Sequence, residues 1–285
     1  VKENYLTREN LEAFIQSAFK EDVGEGDHST LAAIPRGKEG SAQLLIKENG
    51  IIAGLELAEL IFHSYDKELE VHRLLEDGQE VKSGDIGLTV SGNAASILTT
   101  ERLVLNCMQR MSGIATKTNK LTQLISHTNA KLLDTRKTTP NFRMLEKWAV
   151  AIGGGENHRF ALYDMVMLKD NHIDFAGGIE SAISATKKYL KENLLDLKIE
   201  IETRNLEEVK EVVSLGGVDV IMLDNMDYDM MREAVRIIDG KMLTEASGGI
   251  TEDTLVDVAE CGVDYISVGA LTHHVKSMDI SLKAY

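Results

Sequence analysis

Apolar positions fall into two regimes along this 285-residue chain. Near the amino terminus Leu11, Phe14, Ile15, Ala18 and Phe19 recur at helical spacing behind Thr7 and Asn10, which predicts a capped amphipathic helix. Residues 41–52 predict two strands that turn at Asn49-Gly50, a residue pair suited to a hairpin, and residues 55–62 predict a helix. Short strands are expected at 69–75 and 86–90, with turn residues between them. A long helix is expected at 95–123, with Leu98, Leu103, Leu105, Met108 and Met111 on its apolar faces. These elements define a mixed α/β domain over residues 1–112 that ends near Gly113, and the tail 275–285 is a candidate to pack with it.

After Ala130 short apolar runs alternate with amphipathic ones. Strands are expected at 131–134, 165–168, 198–202, 218–223, 241–246 and 263–268, and helices at 178–190, 205–214, 228–238 and 251–260. From Glu202 through Asp224 and Glu245 to Val268 the strand ends recur at intervals of 22, 21 and 23 residues. Such a pitch is one βα unit. Residues 113–274 are therefore expected to form a six- or seven-stranded α/β barrel, with an open doubly wound sheet as the alternative.

Composition narrows the ligand. A formal charge of -15 and a pI near 5.0 exclude nucleic acid or an anionic membrane as the main partner, since both require a broad basic face. The longest apolar stretch, 51–62, is interrupted by Glu56 and Glu59, and the amino-terminal residues resemble neither a signal peptide nor an anchor. Cys107 and Cys261 form no CxxC motif, so a cytoplasmic protein without zinc or a disulfide framework is expected.

Against that acidic background residues 134–172 gather Arg136, Lys137, Arg143, Lys147, His158, Arg159, Lys169 and His172, which suits a small, multiply charged anion. Arg143 and Lys147 read better as a solvated helix face. In a parallel barrel the residues just past the strand ends converge on one face, and here they include Arg136, Lys137, Lys169, Asp170, Glu202, Asp224, Asn225, Glu245, Ser247 and Gly269. The turns in EASGGI (245–250) and SVGAL (267–271) follow apolar strands and suit a phosphate monoester, although tight βα turns alone explain the same glycines. Glu202 and Asp224 could hold Mg²⁺ through water, accept hydrogen bonds from sugar hydroxyls, or simply bond loop N–H groups.

The ordered motifs DTRKTTP, GGGENHR, MLKDNH, IEIE, IMLDN, EASGGI and SVGALTH resemble the quinolinate phosphoribosyltransferase family over nearly the whole chain. The resemblance implies a sandwich-like amino-terminal domain, an irregular α/β barrel that is closed or open, and a homodimer in which Arg102 reaches the neighbouring site. It implies a pocket for quinolinate and pyrophosphate made by Arg102, Arg136, Lys137, His158, Arg159 and Lys169, with Lys137 and Lys169 also catalytic. Glu202 and Asp224 would face ribose and Mg²⁺ as catalytic and metal-associated carboxylates, and Ser247, Gly248, Gly249 and Gly269 would hold the 5-phosphate. The implied reaction joins quinolinate to phosphoribosyl pyrophosphate and yields nicotinate mononucleotide, pyrophosphate and CO₂ for NAD synthesis. The alternatives are a phosphoribosyltransferase for nicotinate or another acid, and a phosphosugar-binding sensor without catalysis.

Overall fold

The computed structural model describes residues 5–285. It divides into two compact units, one running to Asn119 and adding Thr138–Gly154 and Leu271–Tyr285, the other comprising Lys120–Lys137 and Gly155–Ala270. Gly113 lies within the helix Ala94–Leu124.

In the first unit α1 (Arg8–Asp22) begins where the Thr7 side chain accepts the Asn10 N–H, and it buries Leu11 and Ile15. Each buried side chain of that size contributes about 1.5–3 kcal/mol of hydrophobic stabilisation. After α2 (His28–Ala33) come β1 (Glu39–Ile46), β2 (Gly50–Ile51), α3 (Leu55–Tyr65), β3 (Glu70–Arg73), β4 (Glu80–Val81), β5 (Ile86–Asn93) and the long α4 (Ala94–Leu124).

The hairpin expected at Asn49-Gly50 does not form. Both edges of β1 are occupied, one by β5 and the other by the carboxy-terminal β12 (Ile280–Ala284), all antiparallel. The chain leaves that sheet at Asn49, whose Oδ1 accepts the Ser83 N–H at 3.0 Å, and β2 pairs with β4 instead. Ile51 then donates its N–H to Thr116 Oγ1 at 2.9 Å, and a Cβ on Gly50 would overlap the Thr116 and Met278 side chains. Local turn chemistry was overridden by pairing with strands distant in sequence.

A second correction concerns α5 (Arg143–Ile152). It buries six consecutive residues, Leu145 to Val150, so Lys147 is fully enclosed instead of lying on a solvated face. Arg143 is half-buried and donates Nε to Thr138 Oγ1 at 2.9 Å.

The second unit is a six-stranded parallel sheet in the order β6-β11-β10-β9-β8-β7. Its strands are β6 (Lys131–Leu133), β7 (Val166–Leu168), β8 (Ile199–Thr203), β9 (Val220–Asp224), β10 (Leu243–Ser247) and β11 (Tyr265–Ser267). Helices α6 (Asp170–Ala176), α7 (Ile179–Glu192), α8 (Leu206–Leu215), α9 (Tyr228–Ile238) and α10 (Glu252–Ala259) follow strands β7 to β10, and α11 (Ala270–His273) follows β11. Asn205 and Asp227 cap α8 and α9 by accepting the N–H of Glu208 and Met230. Every strand expected after Ala130 is present, as are the four helices.

Barrel and open sheet are distinguished by one contact. Glu156 bridges to Leu133 on the outer side of β6, which puts His158 five strand positions from β8. In a flat sheet that separation is about 24 Å. Yet His158 Nε2 lies 2.9 Å from Glu200 Oε2 on β8. The sheet therefore curls into an irregular barrel, open at a seam between β6 and β7.

Candidate active site

Side chains two apart on a strand share a face, and the inward positions of β8, β9 and β10 form two layers. Register pairs Asp224 with Ser247 and Glu202 with Met222. The strand ends form the upper layer and carry half-buried Glu202, Asp224 and Ser247, with Glu202 one inward position below the other two in register. Two residues before Glu202 on β8 and before Ser247 on β10 lie Glu200 and Glu245, at 0% and 1% exposure.

The charges of two further carboxylates act on Glu202. Burial first, then the charges of Asp224 and Asp170, push the Glu202 carboxyl above its usual range, while Lys169 and Arg204 oppose this. Asn225, at φ 52°, donates its N–H to Ser247 O at 2.9 Å and its Nδ2 to Asp224 Oδ2 at 2.8 Å. Gly248, at φ 99°, presses on that amide so closely that a Cβ would overlap Asn225 Oδ1. Gly249 is also left-handed, at φ 60°, and exposed. The next residues form the cap of α10 at Thr251. Gly269 is half-buried and lies between β11 and α11.

The cations sit around the seam. Arg136 and Lys137 are exposed just after β6, and Lys169 is exposed just after β7. Arg159, from the segment beside β6, donates Nη1 to Met165 O at 3.2 Å and so reaches the entry to β7. Its guanidinium is held below the usual arginine range, first by burial and then by the charge of Arg136. Two guanidiniums that raise each other's energy are relieved by an anion.

His158 is placed differently from these. Its side chain is 7% exposed and points into the barrel, with Nε2 2.9 Å from Glu200 Oε2 and 3.3 Å from Glu245 Oε2. Burial pulls the imidazole down, but hydrogen bonds and charges from the two glutamates outweigh it and lift it to about 10. Burial likewise pushes the Glu200 carboxyl up to about 7, helped by the Glu245 charge and opposed by His158. The added proton belongs to the cluster as a whole. Nδ1 accepts the Arg159 N–H at 2.7 Å, so the ring hydrogen lies on Nε2, facing the two glutamates.

Two residues not singled out from sequence complete this arrangement. Asp134, fully buried, accepts the His158 N–H at 2.9 Å and Asn157 Nδ2 at 2.6 Å. Glu200 lies two residues before Glu202 on a strand otherwise filled with isoleucine and threonine, and that period-two relation was the signal available. Arg102 is exposed on α4 of the first unit. Arg136, Lys137, Arg159 and Lys169 are thus brought to the seam, and Glu202, Asp224 and Ser247 to the upper layer.

A parallel α/β barrel that gathers cations, acids and glycine turns at its strand ends has the architecture of an α/β-barrel enzyme, whose active site lies at that end. Models of the quinolinate phosphoribosyl transferase N-terminal and C-terminal domains match residues 27–112 and 114–283. The chain belongs to the quinolinate phosphoribosyltransferase family, which are decarboxylating pentosyltransferases. It is 47% identical over 289 residues to a Nicotiana glauca mitochondrial quinolinate phosphoribosyltransferase (decarboxylating), covering 96% of this chain and 82% of that one. A probable nicotinate-nucleotide pyrophosphorylase (carboxylating) of Synechocystis is 42% identical, covering 96% and 92%. The crystal structure of NadC from Streptococcus pyogenes superposes with a TM-score of 0.92 at 38% identity, covering 98% of this chain and 97% of that one.

Proposed function

We propose that this chain transfers phosphoribose from phosphoribosyl pyrophosphate to quinolinate and releases CO₂ and pyrophosphate, with Mg²⁺ as cofactor. The observation that carries the diacid is the juxtaposition of Arg136 with Arg159, because each guanidinium can take one carboxylate by charge-assisted, bidentate bonds. Lys137 and Lys169 add charge for the departing pyrophosphate. Glu202, raised by the charges of Asp224 and Asp170, forms with them a donor set that suits a hard divalent cation, held directly or through water. When bound, Mg²⁺ would neutralise the pyrophosphate leaving group.

The ribose would lie against Glu202 and Asp224, whose negative charge stabilises positive charge developing at C1 as the pyridine nitrogen attacks. Ser247, Gly248, Gly249 and Gly269 are the proposed 5-phosphate cradle, with backbone N–H groups as donors. Ribosylation precedes decarboxylation, because a quaternised ring nitrogen accepts the electrons left by CO₂ and a neutral ring accepts them poorly. Arg102, exposed on α4, is proposed to complete the neighbouring subunit's site in a homodimer. Cys107 and Cys261 are both unpaired and buried, which supports a reducing compartment such as the cytoplasm. No helix among the described residues is long and apolar enough to cross a membrane.

The test is incubation with phosphoribosyl pyrophosphate, Mg²⁺ and either quinolinate or nicotinate, followed by mass spectrometry. Nicotinate mononucleotide and CO₂ from quinolinate alone are expected. Product from nicotinate alone would assign a monoacid enzyme, and tight phosphosugar binding without product from either would assign a sensor.

A further inference from the structure

We propose that Glu200 and Glu245 are positioning residues for this reaction: through the His158 ring they form a strut across the barrel that sets the width of the open seam. The proposal rests on the function given above and assigns His158 to the protein frame, not to contact with the diacid.

The seam is where the barrel lacks a strand ladder, since β6 and β7 are the two ends of the sheet order. It is also where the pocket's cations divide. Arg136 follows β6, Lys169 follows β7, and Arg159 spans from the segment beside β6 to Met165. Any change in seam width therefore changes the distance between the groups that take the two carboxylates. Strand pairing cannot hold that distance.

The 156–159 segment is held on three sides. Glu156 continues the ladder on β6, donating its N–H to Leu132 O at 2.8 Å, and the Asp134 carboxylate receives the His158 N–H. The ring then reaches across the interior to Glu200 on β8 and Glu245 on β10. Its Nδ1 accepts the Arg159 N–H, so the ring that is anchored below also orients the residue whose guanidinium lines the pocket. Glu200 and Glu245 lie directly beneath Glu202 and Ser247, so the strut ties the diacid side of the pocket to the layer proposed to hold the sugar.

His158, Glu200 and Glu245 also have the composition of a metal site, with one ligand atom from each lying within 4.8 Å of the others. The tautomer decides against it. A metal-bound imidazole Nε2 carries no hydrogen and its Nδ1 donates, whereas here Nδ1 accepts from a backbone N–H.

The experiment compares Glu200→Gln, Glu245→Gln and Glu245→Leu with the wild-type chain, varying quinolinate and phosphoribosyl pyrophosphate separately and recording melting curves. Glutamine keeps a hydrogen-bond acceptor for Nε2 and leucine does not. Expected is a rise of about tenfold or more in the KM for quinolinate with Glu245→Leu, a smaller rise with either glutamine variant, and a KM for phosphoribosyl pyrophosphate within about twofold of wild type. Melting temperatures should be unchanged or higher. Unchanged KM values in folded Glu245→Leu would overturn the proposal, as would equal weakening of both substrates accompanied by lower melting temperatures. If Glu245→Leu fails to fold, the two glutamine variants decide by the same split, and failure of all three to fold assigns the cluster to stability alone. An inactive wild-type chain would instead overturn the functional reading.

Discussion

Each unit of this protein buries a charged cluster, and the two are built on opposite principles. In the first unit fully buried Glu146 accepts from Arg110 Nε at 3.1 Å and Nη2 at 2.8 Å, and from Thr139 N and Oγ1 at 3.0 and 2.9 Å. Arg110 also donates to the carbonyls of Thr272 and Val275. Opposite charges are matched there and each carboxylate oxygen is used. In the second unit two glutamates face one imidazole, and Oε1 of both Glu200 and Glu245 has no hydrogen-bond partner. The first arrangement lowers the energy of the fold. The second keeps like charges together at an energetic cost, beneath a pocket that the family's chemistry requires.

The largest effect expected from breaking this contrast is on stability. Glu146→Ala would strand the Arg110 guanidinium, which is 24% exposed, and should cost about 3–5 kcal/mol in urea unfolding. Glu245→Gln should cost nothing by the same measurement, since it removes a charge from a crowded acidic pair. Comparable losses in both would erase the distinction between the clusters.

Next in size is a change confined to function. Arg136→Ala removes a charge-assisted bond and should raise the KM for quinolinate by about 10- to 100-fold, or about 1.5–3 kcal/mol, with little change in melting temperature. Equal weakening of phosphoribosyl pyrophosphate would contradict the division of the pocket.

Gly248→Ala probes the layer above the buried glutamates. A left-handed backbone at φ 99° and the overlap with Asn225 should together cost about 1–2 kcal/mol, read as weaker phosphoribosyl pyrophosphate binding with quinolinate binding retained. If calorimetry found the reverse, the glycine turn would not be the phosphate cradle.

The smallest expected effect is on pH dependence. With His158 lifted to about 10 from 6.5 and Glu200 to about 7 from 4.5, the cluster shares a proton in the folded state that the unfolded chain releases at lower pH. The folded state therefore binds more protons, and the cluster's contribution to stability falls as pH rises through these ranges. Asp134 and Arg159 border the cluster and are present in every variant compared. Urea unfolding should show stability declining from pH 7 to pH 10, with a shallower slope in Glu200→Gln. A rise in stability over that interval would show that the proton is not held by the cluster.

Periodicity made the strands and helices after Ala130 legible, because a parallel barrel repeats one βα unit and each strand ends in polar residues. The residues from Arg136 to Gly269 were found from those strand ends and the family motifs. Glu200 escaped notice because an acidic residue within a buried strand has no one-dimensional signature beyond its period-two relation to Glu202. Asp134 was hidden for a related reason, since its partners His158 and Asn157 come from a distant segment.

By itself the sequence determined what depends on local spacing: the amphipathic helices, the βα pitch, the cationic segment set in an acidic chain, and the family motifs. Tertiary structure alone decided what depends on which distant groups meet. It withdrew Asn49-Gly50 from a hairpin by giving both edges of β1 to other strands, and it enclosed Lys147. It also curled the sheet until His158 met Glu200 and Glu245, leaving a seam at the pocket. Strand pairing, burial and proton sharing are energies between residues far apart in the chain, so they follow from packing and not from any local pattern.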